Sequence, residues 1–176
     1  DGADQWRIGK NSFPRGNYCI YANLSYKGFS ANILFQGATS RDMYIEDVVR
    51  GQSTGGYTMV YPYQLDYWMP DNTDAKYPRI AMNSNVNGNN NYQTSDFWLV
   101  NGRYIRLKSL QFGYDFRAKL LKNVNWLYKC QVVLSGQNLF TISPATKYGF
   151  DPENGSTNNY DYPVQRVYSV SLNLGF

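Results

Sequence analysis

From Tyr168 to Phe176 the chain alternates without a fault: Tyr168, Val170, Leu172, Leu174 and Phe176 fall on one side, Ser169, Ser171, Asn173 and Gly175 on the other. A period of two is the mark of a strand with one apolar face, because successive side chains leave a strand in opposite directions. The same period appears near the start. Tyr18, Ile20, Ala22, Leu24 and Tyr26 alternate with Cys19, Tyr21, Asn23, Ser25 and Lys27, and beyond Lys27-Gly28 the run resumes through Phe29, Ala31, Ile33 and Phe35. Two residues ending in glycine between two such runs predict a tight hairpin.

Strand character returns at Phe97–Val100, where Asn101-Gly102 reads as a hairpin turn, and continues from Arg103 to Phe116. In that long run the parity slips. Ile105 and Leu107 are apolar on odd positions, but Leu110, Phe112, Tyr114 and Phe116 are apolar on even ones, so a bulge is predicted near Lys108-Ser109. Leu127–Ile142 reads as a fourth strand, interrupted at Gly136, and Val164–Phe176 as a fifth. One helical turn is expected around Tyr63–Met69 and another around Ala118–Val124. The connections alternate in length, from the two-residue turn to more than fifty residues, about ten and about twenty. Short turns on one side and long loops on the other are the habit of an outer-membrane barrel.

Composition removes other classes. With no histidine in 176 residues the commonest general base and metal ligand is missing, and no G-x-S-x-G elbow is present, so no enzyme is expected. A net charge of +4 is spread without a basic arm, which argues against nucleic acid. Cys19 and Cys130 are too far apart for a metal knuckle and read as isolated thiols. There is no long apolar helix segment and no leader at Asp1–Asp4. The expected fold is therefore all-β: an antiparallel transmembrane β-barrel segment with long extracellular loops. Five strands are odd and too few to close, so the chain needs the rest of a barrel. The rival is a soluble carbohydrate-binding β-sandwich module, which would also use tyrosine, tryptophan and asparagine.

Several blocks then resemble one family. Ser95-Asp96-Phe97-Trp98-Leu99-Val100-Asn101-Gly102 followed by Tyr104-Ile105-Arg106-Leu107-Lys108, Ser135-Gly136-Gln137-Asn138-Leu139-Phe140, Tyr148-Gly149-Phe150-Asp151-Pro152-Glu153 and Trp68-Met69-Pro70 through Tyr77-Pro78-Arg79 are similar to stretches of SusC/RagA-type TonB-dependent outer-membrane transporters. The ending Pro163–Phe176 and the upstream Asn11-Ser12-Phe13-Pro14-Arg15 also fit, in the same order. Arg103 stands where that family usually carries a small residue.

The resemblance implies the C-terminal portion of a 22-stranded barrel. The layout would be outer loop 1–16, hairpin 17–40, long outer loop 41–96, two strands in 97–142, outer loop 143–162 and closing strand 163–176. The plug domain is absent from such a portion. It further implies a Gram-negative outer membrane, with the C-terminus on the periplasmic side. The implied activity is uptake of oligosaccharides or peptides under a SusD-like surface lipoprotein, driven by the TonB complex through an N-terminal part outside these residues. The lipid bilayer and the barrel-assembly machinery would be further partners.

Tyr168, Val170, Leu172, Leu174 and Phe176 are the expected membrane-facing row, with Phe176 as an assembly signal or an ordinary interfacial ring. Tyr63, Tyr67 and Trp68, beside Tyr61, could stack on cargo, or instead form the core of a folded outer loop. Asp151, Glu153 and Asp161 offer oxygen ligands of the kind calcium takes, but without EF-hand spacing they read as a solvated turn, and no cofactor is expected.

Overall fold

A computed structural model describes residues 11–46, 61–80, 90–154 and 162–176. Its strands are β1 (Asn17–Tyr26), β2 (Phe29–Ala38), β3 (Asp42–Tyr44), β4 (Leu99–Asn101), β5 (Tyr104–Asp115), β6 (Lys129–Ile142) and β7 (Val167–Gly175). They belong to two compact units.

The first unit, made of Gly16–Thr39, Tyr104–Ile142 and Val164–Phe176, is a five-stranded antiparallel sheet in the order β1-β2-β5-β6-β7. The alternating runs explain it directly, and every neighbour in the sheet is also the next long strand along the chain. Lys27 (φ 46) and Gly28 (φ 90) make the two-residue turn, both in the left-handed region that matches strand twist. A side chain at Gly28 would also strike Ala118 Cβ at 2.8 Å. Among the described residues β1 and β7 are the edges of the sheet.

The parity slip has the expected cause. Phe35 pairs with Leu107 and Leu34 with Ser109, so Lys108 is the extra residue of the bulge, and across β6 the register moves from Leu107↔Phe140 to Ser109↔Gln137. One extra residue on β5 therefore flips its apolar positions from odd to even while the face of the sheet stays the same. On β6, Asn138 takes φ 52, a conformation asparagine tolerates, and turns Leu139 back over Gly136. A Cβ at Gly136 would lie 2.6 Å from Leu139 Cδ2, so the glycine does not interrupt β6 as the sequence suggested; it makes room inside it. Gly37 does the same for Tyr18, whose ring lies across it and whose hydroxyl donates to the Tyr104 carbonyl at 3.1 Å.

The second unit gathers the described parts of Asp1–Arg15, Ser40–Arg103 and Ser143–Pro163. Here the hairpin expected at Asn101-Gly102 does not form. β4 pairs antiparallel with β3 instead, in a stretch the sequence left as loop, and Gly102 N–H donates to the Arg41 carbonyl at 2.7 Å. Gly102 serves packing rather than a turn, since a Cβ there would meet Met43 Cγ at 2.8 Å.

The core of this unit is Met43, Ile45, Tyr77, Tyr92, Trp98, Val100, Ala145 and Phe150, with Tyr44, Tyr61, Tyr63 and Tyr148 packed against it. Trp98 is 1% exposed, and its indole N–H donates to the Asn91 carbonyl at 3.3 Å. The helical turn expected around Tyr63–Met69 is a short 3-10 helix one step earlier, Pro62–Leu65, because Pro62 pre-sets its first residue and Gln64 Oε1 accepts from Tyr61 N–H. The turn expected at Ala118–Val124 is likewise earlier, at Phe116–Ala118, capped by the Asp115 carboxylate accepting from Arg117 N–H.

Candidate functional site

In an antiparallel sheet directly opposed residues share a face, so the register alone sorts every side chain of the five strands. One row runs Leu24, Ala31, Phe112, Leu134, Val170 across all five. The next toward the tight turns runs Tyr26, Phe29, Tyr114, Val132, Leu172, and the next the other way Ala22, Ile33, Leu110, Gly136, Tyr168. Beyond the bulge come Ile20, Phe35, Leu107 and Phe140. No member of these rows is charged, and apart from the tyrosine hydroxyls no side chain in them carries a polar group.

The opposite face is of another character. Asn23, Asn32, Gln111, Ser135 and Ser169 form one row, and Ser25, Ser30, Gly113, Val133 and Ser171 the next. Its amides and hydroxyls bond sideways: Asn32 Nδ2 donates to Gln111 Oε1 at 3.4 Å, Gln131 Nε2 to Ser30 Oγ at 3.5 Å, and Ser135 Oγ to Ser169 Oγ at 3.3 Å. Arg106, 2% exposed, sits on this side opposite Gln36 and Thr141, and its Nε donates to Thr141 Oγ1 at 2.7 Å.

Away from Leu107, which is buried, the apolar face is uncovered. On the interior strands Phe112, Leu134 and Phe140 are all exposed, Leu134 by 51%, and so are Ile20, Leu24 and Tyr26 on β1. Tyr168, Val170, Leu172, Leu174 and Phe176 are exposed too, though on an edge strand both rows are, and the place of the first four on the apolar face follows from the register. A sandwich would bury this face; here a contiguous apolar sheet surface meets the surroundings, which marks an interaction with something apolar.

Rings gather at the tight-turn end. Phe29 lies 4.5 Å from Tyr114, Tyr114 5.0 Å from Phe116, and Trp126 stacks on Phe176 at 5.7 Å with an interplanar angle of 4°. The span from Phe29 to Gly37 covers about 26 Å of strand at about 3.3 Å per residue. A tilt of about 40° leaves roughly 20 Å of height, close to the apolar band of a membrane barrel at about 25 Å.

In the second unit the structure separates the aromatic candidates. Tyr63 packs inward, 5.2 Å from Tyr77 and 5.1 Å from Tyr148. Tyr67 is half-buried in an isolated bridge to Tyr77, and Trp68 is exposed with its N–H bonded to the Tyr77 carbonyl at 2.9 Å. Tyr77 is held protonated well above its ordinary 10.0, chiefly by burial, then by its hydrogen bond with Tyr148 and by the charges of Tyr148 and Asp66; burial also raises Tyr92.

Asp151 Oδ1 accepts from Glu153 N–H at 2.9 Å in a local turn, Asp161 lies outside the described residues, and no group of three potential metal ligands occurs among the described residues. That Asp-Pro-Glu turn has a partner the sequence did not announce. Arg41, almost fully buried, donates Nη1 to the Pro152 carbonyl, Nη2 to the Asn154 carbonyl and Nε to the Ser12 carbonyl at 3.2 Å. Asn11 joins the same knot, its N–H donating to Asp42 Oδ2 at 3.0 Å while its carbonyl accepts from Asp42 N–H at 2.8 Å. A lone arginine after Ser40 carries no sequence signal for this; its acceptors are backbone carbonyls, which no residue type reveals.

A sheet with one hydrocarbon-like face, one hydrated face, a tight turn and a short connection at one end and a separately packed set of long loops defines a wall segment of a transmembrane β-barrel. No family model matches the chain. TonB-dependent receptors P3 and P39 of Formosa agariphila are 27% and 26% identical over 168 and 164 residues, 88% and 87% of this chain but 16% and 15% of those proteins. The RagAB peptide importer aligns over 97% of this chain and 18% of its own, with a TM-score of 0.67 and 24% identity in an open-open state and 0.65 and 25% in a closed-closed state. The chain thus spans about a sixth of the curated relatives it matches. Over most of its length the chain is thus similar to a portion of TonB-dependent receptors and shares the fold of part of the RagAB importer, and its ordered sequence blocks resemble the same SusC/RagA type.

Proposed function

We propose that this chain is a wall segment of a TonB-dependent importer in a Gram-negative outer membrane, without enzymatic activity, and that the whole receptor takes up oligosaccharides or peptides. The single observation that carries this is the register: across five strands one exposed face is apolar but for tyrosine hydroxyls, and the side-chain amides and serine hydroxyls lie on the other. The row Tyr168, Val170, Leu172, Leu174 and Phe176 then faces lipid, while Asn23, Asn32, Gln111 and Ser135 face the lumen. The loops in 1–16, 41–96 and 143–162 lie outside the cell, the tight turns and Phe176 on the periplasmic side.

A SusD-like lipoprotein serves as the lid over the loops, as the paired composition of RagAB suggests. The TonB complex acts through a part of the receptor beyond these residues, and the barrel-assembly machinery reads Phe176. Tyr67 and Trp68, the more open of the loop rings, are candidates to touch cargo. The test is accumulation of labelled peptides and labelled oligosaccharides by cells carrying the receptor and its lid. Uptake of either class that stops when the inner-membrane proton gradient is collapsed supports the reading. Release of the receptor from membranes by salt or urea without detergent would overturn it.

A further inference from the structure

The faultless alternation of β7 creates an ambiguity that the pattern cannot resolve. In the observed register Ser135 faces Ser169 and Leu134 faces Val170. Sliding β7 by two residues would put Ser135 opposite Ser171 and Leu134 opposite Leu172, leaving the apolar row from Tyr168 onward on the apolar face and the serines and Asn173 on the other. The Ser135–Ser169 hydrogen bond survives such a slide, since residue 171 is also serine. The bond from Asn138 Nδ2 to the Gln165 carbonyl, 3.1 Å, is equally permissive, because a carbonyl recurs along the backbone.

Only the end of the strand is distinctive. Tyr128 N–H donates to the Gly175 carbonyl at 2.9 Å, and its ring lies over Gly175 where a Cβ would sit 2.7 Å from Cζ. No other residue of β7 lacks a Cβ. One position on, Trp126 stacks on Phe176. We infer that Trp126 and Tyr128 are positioning residues that set the register of β7, gripping Gly175 and Phe176 so that one of several equally patterned pairings is selected. The connection between β5 and β6 is stiffened for this role by Arg117 Nη1 donating to the Val124 carbonyl at 3.1 Å and by Leu120 N–H bonding the Phe116 carbonyl at 2.8 Å.

The experiment is disulfide trapping in the whole receptor, in a background carrying Cys19→Ser, Cys130→Ala and no other cysteine. Ser135→Cys with Ser169→Cys reports the observed register, and Ser135→Cys with Ser171→Cys reports the slide. With Trp126 and Tyr128 intact the first pair crosslinks. In Trp126→Ala/Tyr128→Ala the second should rise over the first by roughly three- to tenfold, the scale of one or two lost ring contacts, whereas Trp126→Phe/Tyr128→Phe should keep the observed register. Unchanged crosslinking in the alanine variant would overturn the inference. So would loss of both crosslinks, which would make the two rings necessary for β6–β7 pairing itself rather than for choosing among pairings.

Discussion

Leu134 and Ser135 are neighbours on β6, an interior strand, and they point to opposite faces. If the apolar face lies against lipid, arginine at the two positions should have very different consequences. Leu134 belongs to the row of Leu24, Ala31, Phe112 and Val170, in the middle of the apolar rows, where an arginine on the lipid side of a barrel costs about 2–4 kcal/mol. At about 1.4 kcal/mol per tenfold, that is a roughly 30- to 700-fold loss in the folded-to-unfolded ratio. Ser135→Arg forfeits one hydroxyl bond to Ser169 and otherwise reaches water, so it should cost no more than about 1 kcal/mol. Two further substitutions grade the effect with depth. Val132 and Cys130 follow Leu134 toward the tight turns, each step lowering the side chain by about 5 Å, and the cost should fall toward about 0–1 kcal/mol at Cys130. Urea unfolding of the whole receptor in lipid vesicles, followed by tryptophan fluorescence, gives the order. Equal destabilisation by Leu134→Arg and Ser135→Arg, or no decline from Leu134 to Cys130, would refute the two-faced wall.

Three other outcomes are expected. Arg41→Ala strips bonds from the Ser12, Pro152 and Asn154 carbonyls and should destabilise the loop unit by at least about 1.5–3 kcal/mol, the worth of a single bond to a charged group; limited proteolysis within Ser143–Pro163 should accelerate, and unchanged cleavage would deny Arg41 its stapling role. Because burial holds Tyr77 protonated above its ordinary 10.0, unfolding lets its phenol ionise sooner. The Tyr77 contribution to the stability of the loop unit should therefore be constant below pH 10 and be lost as pH rises beyond it, and Tyr77→Phe should weaken that fall when unfolding is tracked by tyrosinate absorbance. Phe176→Ala should lower the yield of heat-modifiable, assembled receptor in the outer membrane; an undiminished yield would remove the assembly role.

The wall was legible because it rests on a rule with no tertiary input: period two with short turns fixes strands, faces and even the bulge, which betrayed itself as a parity change between Leu107 and Leu110. Gly136 and the Asn101-Gly102 pair misled for one shared reason. Glycine marks either a turn or a place where another group comes close, and only the coordinates distinguish Leu139 folding over Gly136, or Met43 against Gly102, from a chain reversal. The loop unit was the least legible part. Its described core joins Met43, Tyr77, Trp98 and Phe150, and no local periodicity links positions so far apart. Tyr63 illustrates the limit for the candidate cargo residues, since an aromatic in a polar loop looks the same on paper whether it packs inward or waits for a ligand.

The manner in which Arg41 ties Ser12 to Pro152 and Asn154 bears on the order of folding. Those three points are separated by the β1–β2 hairpin on one side and by β5 and β6 on the other, so closing the knot before those strands have paired would mean closing very long loops of free chain. The loop unit should thus be a late product of folding, maturing only after the strands have brought its scattered pieces within reach, and it should be the first part to come undone.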